Sequence, residues 1–338
     1  MVEAVWFDQF GLEHLTLTRH SPAALGPGDV RLQVRAVSLN YRDVLMVRGQ
    51  YNPRLKLPLI PCSDGAGVIT EVGAEVEDLA VGDQVCTTMI PDWDSGAPKA
   101  GVLQTTLGGP RHGLLCRSAV LPRRAVLKVS EKLSHAEAAC LPVAGLTAWS
   151  ALVTEAKTKA GHRVLLLGTG GVSIMALAIA KRLGAEVIIT SGSDEKLARA
   201  RELGADHGIN YRTHPQWAKT LLDRFPDGVD TVLEVGGDGT FDQSVRVTRP
   251  GGMVALIGVL AAAQKAVNLT AVLMKRIRVQ GILVGSRSEF HEYLAFVEQH
   301  GLKPCIGSRF QGLAEAPAAF EHMALGRHFG KIVIEILP

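Results

Sequence analysis

Gly168-Thr169-Gly170-Gly171-Val172 constrains this chain more than any other stretch. Before it comes Arg163-Val164-Leu165-Leu166-Leu167, an apolar run of strand length, and after it Val172, Met175, Ala176, Ile179 and Ala180 recur at helical spacing. A buried strand turning on glycines into a helix aims the first helical N–H groups at whatever lies beyond the turn, and those groups attract anions. These flanks predict a loop that holds a dinucleotide pyrophosphate. Ser173 replaces the third glycine of the usual fingerprint and is still small enough for close helix–sheet packing. The stretch points to nucleotide-dependent redox chemistry.

The alternation continues on both sides of that loop. Strands are expected over residues 187–190, 207–209, 229–233, 253–257 and 277–283, with a helix over 194–203. With the run before the glycines this makes six strands, an α/β doubly wound parallel sheet that binds its ligand at the carboxyl edge. Residues 1 to about 120 read differently. Runs at 30–37, 66–73 and 83–86 alternate with a period of two and are broken by Gly and Pro, as in a compact antiparallel barrel. Residues 91–113 carry Pro91, Pro98 and Pro110 without periodicity, so this long excursion is expected to shape a pocket or an interface. The tail Gly330-Lys331-Ile332-Val333-Ile334-Glu335 is expected to return as a strand to the first domain. The expected division is a domain of 1–123 completed by 304–338, and a nucleotide domain of 124–303.

A chain of 338 residues has room for two such cores. Lys+Arg 36 against Asp+Glu 33 is nearly balanced, with no interleaving of basic and aromatic residues, so no nucleic-acid partner is expected. No apolar stretch reaches membrane-spanning length and the first residues do not read as a signal peptide, so a cytoplasmic protein is expected. The five scattered cysteines read as reduced thiols.

The end of the second strand bears on nucleotide choice. An acid there accepts from the ribose hydroxyls of NAD and repels a 2′-phosphate. Here stand Thr190-Ser191-Gly192-Ser193, with Lys196 one turn on, and these donate to a phosphate. NADP(H) is therefore expected. The alternative reading makes Ser193 a helix cap and Lys196 a solvated lysine. Asp194 and Glu195 suit the first helical turn.

Several motifs in joint order resemble the medium-chain dehydrogenase/reductases. They are Ser38-Leu39-Asn40-Tyr41-Arg42-Asp43, Gly65-Ala66-Gly67-Val68, Leu141-Pro142-Val143-Ala144-Gly145-Leu146-Thr147-Ala148-Trp149, the glycine loop, Gly204-Ala205-Asp206 with Ile209-Asn210-Tyr211, and Phe329-Gly330-Lys331-Ile332-Val333. The chain looks most like the zinc-free, quinone oxidoreductase-like branch. The resemblance implies a Rossmann sheet plus a GroES-like barrel. The family's three catalytic zinc ligands match Asn40, Ser63 and Val143, which do not form a zinc donor set, and Asp64 matches the acid beside the missing His. The structural zinc lobe would need four close cysteines where only Cys86 and Cys116 stand, so no metal is expected. By the same resemblance Gly170, Gly171 and Val172 meet the pyrophosphate, and Ser191, Ser193, Lys196 and Tyr211 surround the adenosine phosphate. Asn40 and Thr147 lie near the nicotinamide, while Ser286, Arg287 and Lys331 complete phosphate and ribose contacts. Residues 276–282 resemble the edge through which relatives pair, which implies a homodimer.

Without a metal, charge developing on the acceptor oxygen must be met by hydrogen-bond or proton donors. Asn40, Tyr41, Arg42 and Tyr51 are the candidates, and Tyr51 follows Gly49-Gln50 much as in zinc-free enoyl reductases. Asp43 reads as a structural acid. The expected partner is a small-molecule acceptor: a quinone or enone first, a simple carbonyl compound as the alternative. A nucleotide-binding protein without turnover is the reading from another class.

Overall fold

The apolar run before the glycines does become a strand buried on both faces. The computed structural model describes residues 1–260 and 269–337, and they form two compact units, Thr147–Gly285 and Met1–Leu146 with Ser286–Pro338. In the first, six strands lie in the order His207–Asn210, Glu186–Ser191, Arg163–Leu166, Val229–Glu234, Thr248–Leu256, Arg278–Gly281, every pairing parallel. Chain order reverses between Arg163–Leu166 and Val229–Glu234, which makes that the switch point of a doubly wound sheet. Val164, Leu165 and Leu166 are fully buried, as a sheet covered on both faces requires.

In this sheet two strands moved a limit by two residues or more. Thr248–Leu256 begins five residues before the apolar run, because Thr248 pairs with Val229 across a register shift and carries the polar Arg249-Pro250-Gly251-Gly252 into the strand. The expected strand 277–283 shortens to Arg278–Gly281, the edge of the sheet.

In the other unit the long strand Asp29–Leu39 is the hub. It pairs antiparallel with Asp64–Val72, Ser118–Pro122 and Lys331–Glu335. Its side chains alternate between buried and half-buried until Val37, then stay buried to Leu39. The tail returns as expected. One pairing departs from an all-antiparallel barrel: Ile306–Gln311 runs parallel to Lys331–Glu335, because helix Ala316–Ala324 makes the crossover between them. Leu32, Val34, Phe320 and Ile334 share the core beneath this sheet.

The expected limits at 123/124 and 303/304 compare with observed divisions at 146/147 and 285/286. Val126–Lys128 pairs with Gln84–Thr87, which holds residues 124–146 to the barrel side. Helix Arg287–His300 joins that side through Arg287 N–H to Trp93 O and Ser288 N–H to Asp94 O, both 2.9 Å. The excursion over 91–113 closes back on the strand entry, with Gly113 N–H on Ile60 O at 2.7 Å and Leu114 N–H on Cys62 O at 2.9 Å. A Cβ on Gly108, whose φ is +70°, would stand 2.7 Å from the Cys62 carbonyl carbon, so the close approach requires glycine. No helix among the described residues is long and apolar enough to cross a membrane.

Candidate functional site

The barrel-side unit buries a group of charges around the start of helix Tyr41–Val47. Asn40 ends the hub strand, and its N–H donates to Asp43 Oδ2 at 2.8 Å while Asp43 N–H donates to Asn40 O at 2.9 Å, which starts the helix. Arg42 Nη1 reaches Asp43 Oδ1 at 3.4 Å and Leu107 O at 3.3 Å. From the other end of the chain, Lys331 Nζ donates to Leu39 O at 2.8 Å and Asn40 Oδ1 at 2.6 Å, and lies 3.8 Å from Asp64 Oδ2. Asp64 also accepts from Ser63 Oγ at 3.0 Å and from Val143 N–H at 3.3 Å, the latter in a π-helical turn over Leu141–Gly145. Such wide turns free backbone groups from helical pairing.

Burial sets the electrostatics here. Both Asp43 and Asp64 are fully buried. Desolvation pushes Asp43 up to about 6, with the Arg42 guanidinium opposing it. It also raises Asp64, against the pull of the Lys331 ammonium. Cys62, buried beside the two acids, has its thiol pushed well up by desolvation first and their charges second, which suits a small apolar residue rather than a nucleophile.

The other unit presents the predicted glycine loop at the carboxyl edge of its sheet. Gly168 takes φ +71°, and helix Gly171–Arg182 starts from Gly170 with no side-chain cap, leaving its first N–H groups open to an anion. Ser173 Oγ donates to Leu167 O at 2.7 Å, pinning helix to strand where a glycine would have allowed contact. At the end of the second strand Ser193 does cap its helix, accepting from Lys196 N–H at 3.3 Å. Asn210 Nδ2 donates to Asp194 Oδ1 at 2.9 Å and so engages that carboxylate. Lys196 is held below its ordinary value by burial first and then by the Arg199 charge, with the Glu195 carboxylate opposing and Arg212 adding to the lowering. A Cβ on Gly192 would come within 2.8 Å of Tyr211 Oη and 3.0 Å of Arg212 Nε, so both side chains crowd the turn that Ser191 and Ser193 flank.

The remaining expected residues are placed as follows. Tyr51 is exposed, with the Arg42 guanidinium 5.4 Å from its ring centroid, while Tyr41 is half-buried against the core. Ser286 caps helix Arg287–His300 in a reciprocal box with Glu289, and Arg287 lies 3.8 Å from Asp94. Lys331 has the intramolecular partners given above. Thr147 is buried. Sequence reasoning missed Arg212 and gave Asp64 no role of its own. For Arg212 the only signal was its position just after Ile209-Asn210-Tyr211.

Comparison with known proteins agrees with the fold. The Zinc-binding dehydrogenase model matches residues 171–299 and the Alcohol dehydrogenase GroES-like domain model matches residues 26–131. A zinc-type alcohol dehydrogenase-like protein of Schizosaccharomyces pombe is 39% identical over 98% of this chain and 96% of its own length. The chain belongs to the medium-chain dehydrogenase/reductase superfamily. Among solved members, an NAD-dependent alcohol dehydrogenase is 33% identical with a TM-score of 0.91, covering 99% of this chain and 100% of that one. The quinone oxidoreductase of Coxiella burnetii is 27% identical with a TM-score of 0.81, covering 99% of both. As a member of this superfamily the protein is an oxidoreductase that works with a nicotinamide cofactor on small molecules.

Proposed function

We propose that this dehydrogenase/reductase is a zinc-independent, NADPH-dependent reductase of quinones or activated double bonds, and that it works as a homodimer. The observation that carries this reading is the buried ammonium of Lys331, 2.6 Å from Asn40 Oδ1 and 3.8 Å from Asp64 Oδ2. Asn40, Ser63 and Val143 supply an amide, a hydroxyl and an isopropyl group where the family's metal ligands would stand, and the amide oxygen is already taken by a cation. That donor set does not fit zinc, which prefers nitrogen and sulfur. A resident positive charge beside Asp64 repels a second.

NADP(H) does fit the residues of the nucleotide edge. The uncapped helix start would receive the pyrophosphate, and Lys196, Arg212, Ser191 and Ser193 would receive the 2′-phosphate. Reduced nicotinamide, when bound, supplies the hydride. The chain's own part is to orient the acceptor, exclude water and offer donors to its oxygen. A quinone asks least of those donors, since its protons come from water, which is why acceptors that need no metal polarisation lead.

The test is NADPH oxidation against a quinone, a conjugated enone and simple ketones, with metal content measured on the same sample. Turnover of the quinone or enone that survives chelation is expected. Zinc in stoichiometric amount, with activity lost on its removal, would end the proposal. The NAD-dependent alcohol dehydrogenase relative favours the second reading, carbonyl reduction, and activity confined to simple ketones or alcohols would select it.

A further inference from the structure

Glu234 is the last residue of Val229–Glu234, the strand that borders the switch point of the parallel sheet. Its side chain is fully buried, yet no cation pairs with it among the described residues. Four neutral donors meet it instead. Gly236 N–H and Gly237 N–H donate to Oε1 at 2.7 and 3.0 Å, Thr240 Oγ1 donates to the same oxygen at 2.5 Å, and Ser244 Oγ donates to Oε2. Burying a carboxylate is costly unless its oxygens are fully engaged, and here every partner lies within ten residues downstream.

The carboxylate therefore acts as an internal anchor for the loop over residues 235–240, which leaves the carboxyl end of its strand. The same residue also ties in the next loop. Glu234 O accepts from Ile257 N–H at 2.8 Å, and Val235 O accepts from Leu260 N–H at 3.1 Å. The two loops touch closely, since a Cβ on Gly237 would come within 2.8 Å of Val259 Cα, and the first is tight within itself, since one on Gly236 would come within 2.2 Å of Thr240 Oγ1. One buried acid thus orders the carboxyl edge on the far side of the switch point from Gly168–Val172.

A doubly wound sheet divides a dinucleotide across its switch point, one half-sheet to each nucleotide. The glycine turn and the Ser191–Lys196 region belong to the half expected to take the adenosine phosphate. We infer that Glu234 is a positioning residue for the other nucleotide half, the nicotinamide ribose, acting through the loops it anchors. The inference rests on the nucleotide reading proposed above. Without the anchor, binding of the intact dinucleotide would have to order those loops, whereas a ligand confined to the adenosine half would not.

The experiment compares NADPH with 2′,5′-ADP, which carries only the adenosine half, by calorimetric titration of wild type and Glu234→Gln. The amide keeps the shape and turns one acceptor toward the donors into a donor. The dissociation constant for NADPH should rise about tenfold or more, while that for 2′,5′-ADP stays within about twofold. Unchanged NADPH affinity would overturn the inference, and so would equal weakening of both ligands, which marks a general loss of structure. If Glu234→Gln does not fold, Ser244→Ala removes a single donor; a smaller but equally selective loss, about threefold, supports the inference and none overturns it. Failure of the wild type to bind 2′,5′-ADP would strike the NADPH reading itself, a result distinct from failure of the selectivity.

Discussion

Lys331 Nζ donates to Asn40 Oδ1 at 2.6 Å, joining residues 291 apart in sequence and fixing the tail strand to the start of helix Tyr41–Val47. The same ammonium is the nearest positive charge to Asp64, which is itself fully buried. Removing one partner of a buried pair leaves an uncompensated charge, whereas removing both does not. Lys331→Met should therefore cost about 3–5 kcal/mol in urea unfolding, and the added change Asp64→Asn should recover most of it. A loss under about 1 kcal/mol in the single variant would mean that Asp64 holds its proton and leaves no charge uncompensated.

Asp43 carries a pH dependence of definite sign. Its carboxyl is raised to about 6 by burial, so the folded chain holds that proton more tightly than the unfolded chain does. The resulting stabilisation is full below the ordinary carboxylate range and is lost as pH rises through 6. The stability of wild type minus that of Asp43→Asn should fall between about pH 4 and pH 6, by on the order of 3 kcal/mol. A difference that stays flat across this window would show that Asp43 is ionised throughout.

Nucleotide choice is tested at the end of the second strand. Lys196→Ala should raise the KM for NADPH at least about tenfold while moving that for NADH by less than about twofold. Arg212→Ala should act in the same direction, because its guanidinium approaches the Gly192 turn where the phosphate would lie. Equal losses with both nucleotides would remove the 2′-phosphate from the account.

Tyr51 is 47% exposed and has Arg42 near its ring. If its hydroxyl protonates an enone after hydride arrival, Tyr51→Phe should lower kcat for an enone about a hundredfold and leave quinone reduction within about threefold. Parallel losses with both acceptors would make it a wall residue.

The edge strand Arg278–Gly281 leaves Val279 40% exposed, and helix Leu269–Met274 just before it exposes Leu269, Leu273 and Met274. An apolar open edge invites pairing. Light scattering should give twice the chain mass of 36.1 kDa. Val279→Pro, which removes an edge N–H, should shift the mass toward the single chain. A wild-type monomer would overturn the dimer.

What the order of residues determined by itself is local. The glycine turn and the six strands around it follow from apolar period within a few residues, so each could be read without a fold. The tertiary structure decided the long-range pairings: Lys331 against Asn40, Arg212 beside Gly192, and Ile306–Gln311 parallel to the tail strand. It also showed how a lone Glu ending an apolar strand is satisfied in the interior. A charge is stable inside only when polar partners surround it; those of Lys331 come from the other end of the chain and those of Glu234 from the next ten residues, and chain order does not state which groups will turn inward.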